Sequence, residues 1–463
     1  MTEPRAVNGA TGIWQPPLGR LTLGLVLVVV ATAFEALAVA TILPTTTAEL
    51  GGLAWYGWTF SAFMLANLVG ITVGGNETDR RGPALPFVAG TLLFSGGLVV
   101  SGCAPSMPVI VLGRTSQGFG GGLLSAVAYA SIARAYATDL QPRMLATLSS
   151  AWVVPGLVGP GLAGVIAEQL GWRWVFLGLA PLPVFAALLV VPALRAAAAA
   201  NGNDAAPAGE DGAPTRMAVQ LAVGAAMALG GLGFEPRWAG IAMIVGGSAI
   251  AAHALQRLLP PGTLLARPGL PAAVATMALL NFAFFGTEAF VPLAIVDVRG
   301  AGMMLNGLSL TAAALTWTAG AWMQVRLATG VARRTVIVGG LAILGVGIAG
   351  TLALVVAPVP PWTAVTAWAV AGLGMGLAFT TCSAAILEAA EPGQEGAASA
   401  SLQLAQVLGA AIATGIGGAI VAAPFAGVPP AWGIAVTDAL MLAVLLASIS
   451  TAIGVTHESS GSA

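Results

Sequence analysis

Long apolar runs broken by short polar or Gly/Pro turns fill the chain, and fourteen of them, between Leu21 and Val455, are each about long enough to cross a bilayer. Hydrocarbon offers backbone N–H and C=O groups no outside partner, so a crossing segment must satisfy them internally as a helix of about 20 mostly apolar residues. The spacing predicts helices at 19–44, 54–75, 84–102, 107–134, 143–168 and 172–194. Residues 195–216, RAAAAANGNDAAPAGEDGAPTR, have no apolar face to bury and read as a flexible linker. Two shorter runs at 217–233 and 238–255, joined through Gly233, Phe234, Glu235, Pro236 and Arg237, read as a helical hairpin. Six more helices are predicted at 270–297, 303–327, 335–356, 361–388, 396–421 and 431–455. The expected plan is an all-α integral membrane protein. It has a tail at 1–18, a six-helix bundle at 19–194, the linker at 195–216, a two-helix insertion at 217–255, a second six-helix bundle at 256–455 and a tail at 456–463.

Composition narrows this further: 57% of residues are hydrophobic, 8% are charged and the mean hydropathy is +0.92, which excludes an extended soluble domain. The first apolar run is too long for a removable signal peptide and lacks a small-residue cleavage site, so it reads as a retained helix. A net charge of -1 says nothing about nucleic acid, but with no basic block and no His/Cys metal spacing neither nucleic-acid nor metal binding is supported, and no cofactor is expected. No obligate protein partner is evident. Cys103 and Cys382 fall near opposite membrane faces, which argues against a disulfide.

All the basic residues are Arg. With the N-terminus inside, thirteen are cytoplasmic, Arg173, Arg237 and Arg299 lie outside, and Arg114 lies within a helix. That bias fits positive-inside sorting and puts both termini in the cytoplasm. Trp55, Trp58, Trp172, Trp174, Trp362 and Trp432 lie near predicted outer helix ends, where amphipathic rings favour the interface.

Charges at membrane depth are costly enough that they usually line a pathway or relay protons. Glu35 and Glu288 occupy nearly the same place in the first helix of each half, in FEALAVATILP and NFAFFGTEAFVPL. A carboxyl whose proton affinity differs between two conformations is the minimum equipment of a proton-coupled machine, and Glu288 could instead meet a cationic substrate. The other reading of each is a structural carboxyl bonded to a neighbouring helix. Arg114 keeps its charge and needs acceptors or an acid to hold it, or else ties helices through carbonyls. Gln117 lies one turn on, and the second-half counterpart of Arg114 is approximately Trp368. Polar or aromatic cavity candidates are Asn67, Gln117, Tyr129, Asn281, Phe284, Phe285, Trp317, Gln324, Gln403 and Gln406, several of which could simply bridge helices. Such an apolar, aromatic cavity suits small amphipathic substrates better than sugars. Glu388, Glu391, Glu395, Asp438, His253 and His457 read as terminal or interfacial, with no role.

The two halves also echo each other. GGGLLSAVAYASIARAYATDLQPRMLATLSSAWVVPGLVGPGLAGVI and GLGMGLAFTTCSAAILEAAEPGQEGAASASLQLAQVLGAAIATGIGGAI both run Gly-rich helix, polar turn, small-residue helix. Repeated six-helix halves around a midplane site are a transporter architecture. Five motifs then occur in order. GGNETDRRG (Gly74 to Gly82) resembles a G-x-x-x-D-R-x-G loop, with Pro83 and Ala84 where basic residues are usual. RTSQGFGGG from Arg114 resembles R-x-x-Q-G-x-G. PGLVGPGLAG (Pro155 to Gly164) resembles the antiporter motif G-P-x-x-G-G, with Ala163 in place of one Gly. FEALAVATILP resembles a first-helix signature, with Glu35 for Asp and Ala40 for Asn, and WRWVF spans Trp172 to Phe176. On these the chain resembles the major facilitator superfamily, and within it the fourteen-helix drug:proton antiporters of the actinobacterial multidrug efflux type.

The resemblance implies an inner-membrane exporter of amphipathic compounds, driven by protons and embedded in the bilayer. Export of an endogenous lipid or metabolite is the alternative, and a non-transporting membrane sensor the remote one. It implies that Gly75, Asp79, Arg80 and Gly82 form a latch clasping the halves on the cytoplasmic side in one state and releasing in the other. It implies that Pro155, Gly156, Gly159, Pro160 and Gly164 line a surface where the halves seal, while the second-half loop RLATGVARR keeps Arg326, Arg333 and Arg334 but has no acid.

Overall fold

The computed structural model describes residues 12–16, 18–137, 139–200, 213–327, 330–389, 395–423 and 430–455. Among them the chain is helical: α1 Leu18–Leu50, α2 Tyr56–Arg81, α3 Ala84–Gly102, α4 Met107–Ala135, α5 Gln141–Ser150, α6 Val153–Gln169, α7 Arg173–Leu179, α8 Pro181–Ala200, α9 Ala213–Gly231 and α10 Arg237–Leu258. Then follow α11 Leu270–Glu288, α12 Val291–Leu293, a π turn Ala294–Val298, α13 Met303–Leu327, α14 Arg333–Val356, α15 Thr363–Glu388, α16 Glu395–Ala422 and α17 Pro430–Ala452. Most of the expected linker, 201–212, lies outside the described residues, as do Glu391 and His457.

Among the described residues, eleven helical segments are long and apolar enough to cross a membrane. Three further helices of comparable length, α4, α9 and α13, pack with them. α4 is less apolar because it carries Arg114, Thr115, Ser116 and Gln117 in one turn.

Three predicted helices are interrupted. The expected 143–168 helix is α5 and α6, separated at Ala151 and Trp152; 172–194 is α7 and α8, separated at Ala180; and 270–297 breaks at Ala289 and Phe290. Each break lies just before a proline, namely Pro155, Pro181 and Pro292. A proline lacks the N–H that would bond the carbonyl four residues back, and its ring crowds that carbonyl.

Two glycine-lined crossings hold the bundle. A methyl group at Gly118 of α4 would lie 2.1 Å from the Phe63 carbonyl oxygen of α2, and one at Gly122 would lie 2.3 Å from that of Asn67. In the second part, a methyl at Gly372 of α15 would lie 2.2 Å from the Ala313 carbonyl oxygen of α13, and one at Gly376 2.2 Å from that of Trp317. Helices that associate without a hydrophobic driving force depend on such close backbone approach. The same small-x-x-x-small spacing thus serves α2/α4 and α13/α15, which is what the sequence echo encodes.

The N-terminal group α1–α8 meets the C-terminal group α11–α17 mainly through α6 on α13 and α2 on α16, while α9 pairs with α10 and leans on α2 and α16. Toward the end that carries Glu49, hydrogen bonds cross between the groups. Tyr56 Oη donates to the Ala289 carbonyl at 3.0 Å, Asn306 Nδ2 to the Thr41 carbonyl at 3.0 Å, and Ser61 Oγ to the Ala411 carbonyl at 2.8 Å. The Tyr56 ring stacks on Phe290 with centroids 5.6 Å apart. At the opposite end the ion pairs Asp79–Arg134 and Arg333–Glu388 each stay within one group.

Candidate functional site

The N-terminal group buries a charge. Arg114 of α4 is 2% exposed and makes an ion pair with Glu35 of α1, itself 1% exposed. Its fork is used in several directions at once. Nε donates to the Thr59 carbonyl at 3.0 Å, Nη1 donates to Gln117 Oε1 at 2.7 Å, and the guanidinium lies 4.2 Å from the centroid of the Phe63 ring. Gln117 Nε2 passes the network on to Ser101 Oγ at 2.9 Å. Four helices, α1, α2, α3 and α4, therefore converge on one cation. Arg keeps its proton, so the group in this pair that can change charge is the Glu35 carboxyl, and protonating it would remove the principal counter-ion of Arg114.

The other sequence candidates are distributed as follows. Gln117 is fully buried in the Arg114 network. Asn67 is half-buried on α2 and donates to the Gly118 carbonyl at 3.3 Å. Asn281 is buried and bonded back to the Met277 carbonyl of its own helix at 2.8 Å. Tyr129 of α4 is 56% exposed. Gln403 and Gln406 are half-buried on α16 and Gln324 on α13.

Phe284, Phe285 and Trp317 come together. Phe284 meets Phe285 at 5.2 Å and Trp317 at 5.3 Å, and stacks on Trp368 at 5.0 Å. Phe379 extends the cluster from Trp317 at 5.3 Å. Trp368 occupies the position that corresponds to Arg114, so the second group carries an aromatic stack where the first carries a charge. Glu288 sits half-buried at the broken end of α11, one turn from Phe284 and Phe285.

Asp79 bonds Arg134 Nη2 at 2.6 Å within its own group, Arg80 is exposed, Gly75 is half-buried and Gly82, at φ 80°, ends α2. In the second group the acid that the loop sequence lacks is supplied from α15, where Glu388 pairs with Arg333. On α6, Pro155, Gly156, Gly159, Pro160 and Gly164 are buried. This face lies between the groups: a methyl at Gly307 of α13 would lie 3.0 Å from the Pro160 carbonyl oxygen, and Gly159 faces Phe34 of α1.

Two expectations fail. Trp172 is not an interfacial anchor, because its indole N–H donates to Glu49 at 2.7 Å and only 1% of the residue is exposed. Arg173, over the Trp172 ring at 4.3 Å, completes that tie by bonding Glu49 at 2.5 Å. Asp438 is not terminal: it is 1% exposed on α17, beside the hydroxyls of Thr287 and Thr351. The signal was its depth, since it lies two turns inside the helix predicted to start at 431.

Residues 23–414 match the family model described as Major Facilitator Superfamily. A probable multidrug-efflux transporter of Mycobacterium tuberculosis is 26% identical over 427 residues, covering 89% of this chain and 90% of its own length. A multidrug resistance protein B homolog of Mycobacterium tuberculosis is 27% identical over 385 residues, covering 78% and 68%. Among solved structures, a bacterial homolog of the human lysosomal transporter Spinster, in an inward-facing and unoccupied conformation, superposes with a TM-score of 0.69 at 14% identity, covering 96% and 98%. A D-xylose-proton symporter superposes at 0.65 with 13% identity, covering 94% and 98%.

Proposed function

The chain belongs to the major facilitator superfamily, and from that premise we propose that it is a proton-coupled antiporter exporting amphipathic, drug-like compounds across the inner membrane by alternating access. Its role is transport, not catalysis, and its relatives are named as multidrug-efflux transporters. The observation that carries the coupling is the buried Glu35–Arg114 pair. A proton arriving at Glu35 leaves Arg114 to its carbonyl and amide partners, so loading and unloading the acid change how α1 and α4 are held. Each charge moved inward down 100 mV supplies about 2.3 kcal/mol, enough for a roughly 50-fold cargo gradient.

In this reading α1–α8 and α11–α17 are the two six-helix halves, and α9 and α10 are the inserted pair. Counting α4, α9 and α13 as crossings gives fourteen. The Glu49 end is taken as outer, in line with the excess of Arg at the other end. The bonds at Tyr56, Asn306 and Ser61 then close the outside, and α6 against α13 seals the halves. Asp79, held by Arg134 of its own half, corresponds to a released latch. The aromatic cluster of Phe284, Phe285, Trp317 and Trp368, with Glu288 beside it, is the candidate cargo surface. Its π faces and acid favour cationic amphipathic compounds.

Flux into proteoliposomes under an imposed pH gradient tests the proposal. Cargo is expected to move opposite to proton flow across a compound panel. Co-directional flux would make the protein a symporter, and flux indifferent to the gradient a facilitator.

The insertion is tested separately. The α9–α10 turn carries exposed Glu235 and Arg237, charges costly at the bilayer centre. Its Gly230 lies near Trp58 at the Glu49 end. A single Cys at 235 or 237, in a background lacking Cys103 and Cys382, is expected to react with a membrane-impermeant thiol reagent from outside intact cells. Labelling only after the inner face is exposed would leave twelve crossings and a hairpin.

A further inference from the structure

The second half holds a buried polar site that the Glu35–Arg114 pair does not use. Asp438 of α17 faces Thr287 of α11 and Thr351 of α14. Among the described residues Asp438 Oδ1 and Thr287 Oγ1 have no hydrogen-bond partner, although both residues are 1% exposed. The Thr351 hydroxyl donates to the Ile348 carbonyl at 2.7 Å and leaves its oxygen toward the site. A buried carboxyl with an unsatisfied oxygen and no cation beside it is costly as an anion and far less so as a neutral acid.

Among the described residues, charges on the elements packed against α17 do not supply a counter-ion: Arg299, which caps the π turn, is engaged by the Ala357 and Val359 carbonyls just past the near end of α14. α14 carries Arg333 and Arg334 at its far end, about 27 Å along the axis from Thr351. α16 carries Glu395 in its first turn, the π turn carries Asp297, and α11 carries Glu288 next to Thr287, all of them acids.

The site also sits against a break in α11. α11 breaks at Ala289 and Phe290, directly after Thr287 and Glu288, and continues into a π turn. Discontinuous helices and π turns concentrate where membrane transporters bind ions. The break is held from the opposite half, through Tyr56 donating to the Ala289 carbonyl and stacking on Phe290. Parting of the halves at this end would release Ala289 and shift Thr287 relative to Asp438. We propose that Asp438, with Thr287 and Thr351, is a second proton-binding site in the transporter, whose exchange is governed by the Tyr56–Ala289 contact. It deepens the proton-coupled reading and rests on it. The ligand is the proton: the carboxyl oxygen gains it from water admitted on opening and returns it to water in the other state, with no other bond changed.

The test is infrared difference spectroscopy of the purified full-length protein between about pH 5 and about pH 9, a window above the range of ordinary carboxylates. A protonated-carboxyl C=O band is expected that titrates in this window, shifts on carbon-13 labelling of aspartate, is lost in Asp438→Asn and survives in Glu35→Gln. Tyr56→Phe retains the carboxyl and removes only the bond to Ala289, so it should shift the midpoint even if Asp438→Asn fails to fold. A band that does not change with pH marks a permanently neutral structural acid and overturns the proposal. So does a band unmoved by Tyr56→Phe, or one displaced by sodium at fixed pH, which would indicate a metal-cation site. Because the band is read without transport, an intact titrating band with gradient-indifferent flux supports the site while defeating the antiport reading.

Discussion

Glu35→Gln is expected to abolish cargo movement driven by a proton gradient, reducing flux to the leak of protein-free vesicles, while the protein still folds and binds cargo. Gln has the size of Glu and can still accept from Arg114, so the junction of α1, α2 and α4 should persist. What it cannot do is exchange a proton. Cargo exchange at equal concentration on both sides, which needs no net proton movement, should be retained. Measuring both in the same vesicles separates loss of coupling from loss of the protein. Full gradient-driven flux in Glu35→Gln would remove this carboxyl as the coupling site and leave Glu288 or Asp438 to supply it.

Arg114 is expected to be the most sensitive position for folding. Arg114→Ala leaves Glu35 buried without its cation, a situation that typically costs about 3–5 kcal/mol. A marked fall in melting temperature and a smaller monodisperse fraction in detergent should follow. Combining it with Glu35→Gln should restore much of the stability, because the stranded charge is gone, yet restore no driven transport. Arg114→Lys separates charge from shape. A lysine ammonium cannot serve the Thr59 carbonyl, Gln117 and the Phe63 face in the geometry of a planar fork, so folding should largely survive and transport should fall. Lys transporting like the parent would reduce Arg114 to a structural tie.

What the sequence made legible follows from cost. Charges inside apolar runs stand out, and Glu35, Arg114 and Glu288 were found that way. Their pairing was not readable, because Glu35 and Arg114 lie on α1 and α4 and nothing local says which helices meet. Side-chain burial is the least legible: a helix apolar all round carries little periodicity, so exposed Tyr129 cannot be told from buried Phe284. Prolines marked the breaks in α5–α6, α7–α8 and α11–α12. Yet Pro44, Pro160 and Pro192 sit inside continuous helices, so a proline identifies a candidate break and its surroundings decide. Asp438 also lies at depth, but the site it forms is not readable along the chain, because Thr287 and Thr351 are remote in sequence and polar only by a hydroxyl.

The three hydrogen bonds from Tyr56, Asn306 and Ser61 all end on main-chain carbonyls of the opposite group. A main-chain acceptor is present whatever side chain its residue carries, so these three bonds survive replacement of the accepting residue, whereas the Ser61–Thr414 hydroxyl pair and the Tyr56–Phe290 stack depend on side chains from both groups. The same arrangement determines how it comes apart. Three buried donors cannot be parted into a dry gap, since each unmade bond costs about 1–3 kcal/mol, more in sum than a single proton supplies at 100 mV. Water therefore has to arrive as the bonds stretch, replacing each carbonyl in turn, and hydration of this end becomes part of the reaction coordinate.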